Sequence, residues 1–297
     1  MNSNLPIQIN DQSLSKLTFQ RCCTDIILSN KHRIQSLTLS NLFIIDYFFS
    51  SIENISIFFQ LQAFTLNTIE LTNLEQLLTS LAVLPSLSSL TISTSPRINI
   101  NTFWNLIFQL PTLKYFKISD DITYATYLPI SINKVSSIEH LIMNSKSYCT
   151  DIDAILSCVP QLRRLSINYL YPGYRNTNHV LQFALSNLTH VCLKLDQYPF
   201  HQFETFVKDY LSQVKVLCIS SNSGLTYLNA ERWEKLIVSY MPSLEIFDLQ
   251  HISTILYDDK EKKMYEDLFL KFSSPFWIER QWFFAYDTNF GWHPRQI

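Results

Sequence analysis

The sequence predicts an α/β solenoid, a horseshoe with one parallel sheet on its concave side and helices on its convex side. Three observations predict it. The pattern L-x-x-L-x-L recurs from Ile34, Leu61, Leu87, Leu113, Ile138, Leu162, Leu188, Val214 and Leu244. Its steps of about 24 to 30 residues lie close to the roughly 20–29 residue period of strand-plus-helix repeats. The second and third apolar positions are filled in every copy: Leu37/Leu39, Phe64/Leu66, Leu90/Ile92, Phe116/Ile118, Leu141/Met143, Leu165/Ile167, Val191/Leu193, Leu217/Ile219 and Phe247/Leu249. Four copies place proline in one slot, at Pro85, Pro111, Pro160 and Pro242. Proline lacks a backbone donor and clashes with the preceding turn, so it ends a helix and forces the chain out towards the strand.

Each L-x-L is then a short strand. Its two apolar residues point inward and the residues between them point out. One unit cannot bury its own apolar face, so the units must stack into a continuous core. Residues 1–33 read as an irregular N-terminal cap, with one degenerate strand at 25–28. Residues 34–252 hold about nine repeats. The segments between strands show helical spacing: Leu74, Leu77, Leu78 and Leu81, then Phe103, Trp104, Ile107 and Phe108, then Ile152, Ile155, Leu156 and Val159. Asn101 or Thr102 is the expected cap of the second of these. Further helices are expected over 180–188, 200–211 and 233–240. Residues 253–297 read as a C-terminal cap, with a charged helix from Asp258 and an aromatic strand over 276–284.

Composition narrows the function. The chain has 297 residues, 47 % hydrophobic and only 16 % charged, which suits a core-rich folded protein. A net charge of −2, from 23 basic and 25 acidic residues, argues against bulk attraction to nucleic acid or to an anionic membrane. Three glycines, Gly173, Gly224 and Gly291, leave no glycine-rich phosphate cradle. No nucleophile-elbow, zinc-protease or P-loop motif is present, so no enzyme activity and no cofactor is expected. The start of the chain lacks a charged region followed by an apolar run, and no apolar run of about 18 residues occurs. This reads as a cytoplasmic or nuclear protein that does not cross a membrane. The six cysteines show no C-x-x-C and are expected as reduced thiols.

Residues 34–250 resemble leucine-rich repeat proteins. The segment Val159-Pro160-Gln161-Leu162-Arg163-Arg164-Leu165-Ser166-Ile167 is similar to the repeats attached to F-box domains. The stretch from Ser274 to Phe284 resembles the tail of F-box-associated repeat proteins. That family implies recruitment of a substrate protein to a cullin–RING ubiquitin ligase, with the repeats holding the substrate. The F-box itself is not visible, because Leu5-Pro6 is followed by polar Gln8, Asn10, Asp11 and Gln12. Contact with an adaptor and cullin is therefore expected only if the full product carries that module. The loop asparagine usual in such repeats occurs only at Asn222, so an irregular horseshoe is expected.

Alternation assigns the concave face. The first three strands offer small neutral residues such as Ser36, Thr65 and Ser89. The middle four offer Tyr115, Lys117, His140, Arg164, His190 and Lys194, with no acid among their outward positions. These six are the candidate partner-binding residues. Their charges suit an acidic or phosphorylated protein segment, and a guanidinium can engage a carboxylate or phosphate with two parallel bonds. Polar residues at exposed strand positions also serve solubility alone. Cys192 beside His190 is a weaker catalytic reading, because nothing orients the histidine. Nucleic acid is disfavoured as a ligand by the overall charge. Cys192 and Cys218 share one slot in adjacent copies, about 5 Å apart. They read as a reduced pair, with a disulfide or a shared metal as alternatives. His140 and His190, about 10 Å apart, are too distant for one metal ion with ligand distances of about 2 Å.

Overall fold

The computed structural model describes residues 7–10, 15–52, 54–69, 74–94, 100–120, 135–144, 147–172, 185–222, 224–252 and 259–282. The chain divides into two compact units, one of residues 1–145 with 154–161 and one of 146–153 with 162–297.

In the first unit six strands run parallel in sequence order: β1 (Ile7–Asn10), β2 (Ile34–Leu39), β3 (Ala63–Ile69), β4 (Ser89–Thr94), β5 (Tyr115–Asp120) and β6 (His140–Asn144). In the second unit β7 (Ser147–Tyr148), β8 (Arg164–Tyr171), β9 (His190–Leu195), β10 (Val216–Ser221) and β11 (Ile246–His251) do the same. All nine expected strands are present. Their apolar pairs fall in register, as with Phe64↔Leu90↔Phe116↔Leu141 and Leu165↔Val191↔Leu217↔Phe247. These residues are buried, while those between them stay partly exposed.

Several of the segments between strands are helical, because apolar residues at i, i+3 and i+4 make one buried stripe. Helices α1 (Lys16–Cys22), α2 (Leu42–Ser51), α3 (Leu74–Leu81) and α4 (Ile100–Phe108) belong to the first unit. Helix α5 (Cys149–Leu156) contributes residues to both units, and α6 (Phe200–Tyr210), α7 (Ala230–Tyr240), α8 (Asp259–Leu270) and α9 (Pro275–Glu279) belong to the second. The helices cover the inward face of the strands. Phe103 and Trp104 of α4 meet Phe116 of β5 at ring distances of 6.1 and 5.7 Å. Trp233 of α7 meets Phe247 of β11 at 4.9 Å.

A hydroxyl ladder ties neighbouring turns where each strand begins. Thr112 donates to the Leu87 carbonyl at 2.8 Å, Ser137 to Leu113 at 2.9 Å and Thr189 to Arg163 at 3.3 Å. Each bond spans one repeat and links a hydroxyl to a backbone carbonyl of the repeat before it. Asn222 adds a single rung at the other end. Its Oδ1 accepts from the Gln197 backbone N–H at 3.0 Å and its Nδ2 donates to Asp196 at 2.8 Å.

Three expectations are corrected. Residues 25–28 are not a strand: Cys23–Ile27 form a π-helical turn and Leu28–Asn30 a 3₁₀ turn, continuing α1. The additional strand lies earlier, at Ile7–Asn10. Asn101 and Thr102 do not cap α4, which already begins at Ile100. Residues 275–279 are helical, not extended, because Pro275 occupies the first turn, where a missing N–H costs nothing. The expected helix at 180–188 and the aromatic pair 283–284 lie largely outside the described residues.

Candidate binding face

Three of the six candidate residues fall in each unit. In the first, Tyr115 and Lys117 lie on β5 and His140 opens β6. Register pairs Tyr115 with His140 and Lys117 with Ile142. The Tyr115 and His140 rings meet edge to face at 6.4 Å, and burial pushes the Tyr115 phenol above its usual pKa. Asn144 donates to Ser119 at 3.3 Å along the same face.

In the second unit Arg164 opens β8, and His190 and Lys194 lie on β9. Arg164 pairs with His190 in register. The His190 pKa is lowered, first by burial and then by the Arg164 charge, with Glu245 opposing. The imidazole Nδ1 lies 2.9 Å from the Thr189 hydroxyl, so the ring is held in place. Lys194 sits over the Tyr169 ring at 4.9 Å.

Tyr169 is a site residue that the repeat pattern did not reveal. The β8–β9 register shifts between Ile167 and Leu170, so the strand bulges there. Tyr169 adopts φ 70°, a left-handed conformation costly for an aromatic residue. The bulge turns the ring outward, 41 % exposed, and places it against the Lys194 ammonium. A non-glycine residue with positive φ has no sequence signature. The only hint is that Tyr169 stands where most copies carry small or charged residues.

Charge pairing sorts the cations. Just before the strands, Lys114 bridges Glu139 at 3.1 Å and Lys215 bridges Glu245 at 2.7 Å. On the helices, Arg232 makes a two-bond contact to Glu204 at 2.7 and 2.9 Å. Lys117, Arg164 and Lys194 have no carboxylate partner among the described residues. They are the outward cations left open to an incoming anion.

Cys192 and Cys218 are in register on β9 and β10 and are both free and partly exposed. Among the described residues no group of three or more His, Cys, Asp or Glu side chains could hold a metal ion, and no helix is long and apolar enough to cross a membrane.

No protein-family model matches the chain, and neither a curated protein nor a solved structure matches it.

Proposed function

We propose that this chain is a non-catalytic, leucine-rich-repeat type scaffold that holds a segment of another protein on the exposed faces of its strands. One observation carries the reading: among the described residues Lys117, Arg164 and Lys194 stand outward without carboxylate partners, whereas Lys114, Lys215 and Arg232 are paired. Cations without a carboxylate partner on a sheet face can meet carboxylate or phosphate without first breaking an internal ion pair. Within each unit, parallel strands space same-face positions about 4.8 Å across and about 6.6 Å along, a grid suited to an extended acidic or phosphorylated peptide. The repeat phase and the Ser274–Phe284 stretch further support a role as the substrate-recognition region of an F-box-type ubiquitin ligase receptor. Adaptor and cullin are then its other partners where the full product carries the docking module.

The test is an array of acidic, phosphorylated and neutral peptides, with hits measured by titration. Wild-type protein selects acidic or phosphorylated peptides, and binding weakens with added salt. Arg164→Glu with Lys194→Glu weakens hits on the second unit by at least about tenfold, from the loss of one to two charge-assisted bonds. Lys117→Glu does so for hits on the first. Unchanged affinity in both variants contradicts the proposal. Recovery of adaptor and cullin subunits with the full product tests the ligase role separately.

A further inference from the structure

We propose that Cys192 and Cys218 are a modification site, a dithiol that hydroperoxides close into a disulfide linking two neighbouring repeats. The placement carries the idea. The two residues face each other across β9 and β10. Cα atoms on adjacent strands lie ~4.8 Å apart, inside the ~4.4–6.8 Å range that a disulfide spans. Both belong to the exposed set of their strands, so the sulfurs sit between solvent and sheet and not in the core. Neither is bonded to another cysteine.

The surroundings divide the work between the two. Interaction with the neighbouring Cys218 thiol favours the Cys192 thiolate, while burial and the Asp248 charge act against it. The same interaction, with burial, holds the proton on Cys218. His190 and Lys194 flank Cys192 on its own strand, Ser166 lies across from it on β8, and Asp248 lies across from Cys218 on β11. Cys192 is thus the nucleophile and Cys218 the resolving thiol. Burial pushes the other described thiols the opposite way. Cys22 and Cys23 are raised, and Cys158 is raised to about 11.

The chemistry balances with a hydroperoxide as oxidant. The Cys192 thiolate attacks the near peroxide oxygen, the O–O bond breaks, and the leaving oxygen takes a proton as alcohol or water. Cys192 is now a sulfenic acid. The Cys218 sulfur then attacks the Cys192 sulfur and the S–O bond breaks. The released hydroxide takes the Cys218 proton and leaves as a second water. Two thiols have lost two electrons to one peroxide.

Treatment of the reduced full chain with hydrogen peroxide, followed by thiol titration and peptide mapping, tests this. Each partner falls alone in a tryptic peptide, residues 176–194 and 216–232. The expected result is loss of about two of the six thiols, a mass for those two peptides joined, and full recovery with dithiothreitol. In Cys218→Ser, dimedone traps the sulfenic acid at Cys192 and no joined peptide forms. If the two peptides are recovered separately alkylated from wild-type protein, or if Cys22 or Cys158 reacts first, the proposal is overturned. The wild-type mapping decides the matter even if the variant folds poorly.

Discussion

The two units place their aromatic residues differently. In the first, rings gather in local sets: Phe48 with Phe49 and Phe58, and Trp104 with Phe103, Phe108 and Phe116. In the second a larger connected cluster forms. Phe200, Phe203, Tyr227 and Trp233 pack together, Trp233 touches Phe247, and Phe247 touches Trp277 and Trp282. That cluster is also pinned by polar contacts. Tyr227 donates to the Tyr198 carbonyl at 3.0 Å, the Trp233 indole to Tyr227 at 2.8 Å and the Trp282 indole to Glu245 at 3.3 Å. The first unit spreads its stability over many equivalent apolar contacts. The second concentrates it at one centre, where rings both fill space and satisfy loop carbonyls.

Replacing the centre has the largest effect. Trp233→Ala leaves a large void and an unpaired carbonyl, and costs towards the upper end of about 3–5 kcal/mol. Leu90→Ala in the first unit costs nearer the lower end of its range, about 2–5 kcal/mol. Urea titration of the two variants compares them, and equal losses would erase the contrast.

A second difference is pH. His251 is buried in the second unit at 2 % exposure, and burial lowers its pKa from 6.5 to about 4. Below 6.5 the unfolded chain takes up a proton that the folded imidazole refuses, so protons favour unfolding. The stabilisation is intact at neutral pH and is lost as pH falls from 6.5 towards 4, by up to about 3 kcal/mol for that 2.5-unit gap. His251→Phe flattens this window in unfolding measurements made between pH 4 and 7. An unchanged slope would remove His251 as the cause.

The smallest effect is expected at Tyr169. Tyr169→Gly gives up the contact with Lys194, about 0.5–1 kcal/mol at an exposed site, but relaxes the positive φ. The net change in stability stays within about 1 kcal/mol. A larger loss in thermal unfolding would mean that the ring supports β8 and does more than cover Lys194.

The strands were legible because two apolar residues two apart, repeated in one phase, can be buried only as neighbouring strands. Helices α3, α4, α6 and α7 were legible from their i, i+3, i+4 stripes. Ile7–Asn10 was not, because only Ile7 and Ile9 fill the pattern, opposite Ile34 and Leu37, and polar Asp11 stands where the third apolar residue would fall. Ile26-Ile27-Leu28 misled because a short apolar run suits a strand or a buried helical turn equally, and continuity with α1 decided it. The aromatic stretch after Ser274 misled because ring content favours strands, whereas Pro275 sets a helical start. For the candidate face, alternation assigned all six outward positions. It could not reveal which cations would be paired, nor that a bulge would carry Tyr169 to Lys194. Both depend on contacts between repeats.

The most direct test of the account is the strand register that creates these outward rows. Thr91 on β4 faces Lys117 on β5, whereas Tyr115 and Ser119 lie one step along the strand to either side. Disulfide trapping in Thr91→Cys combined with Lys117→Cys, Tyr115→Cys or Ser119→Cys reads this directly. The account predicts fastest closure for the Thr91/Lys117 pair and slower closure for the other two. Preferential closure with Tyr115 or Ser119 would mean that the repeats are slipped or reversed, and would contradict it.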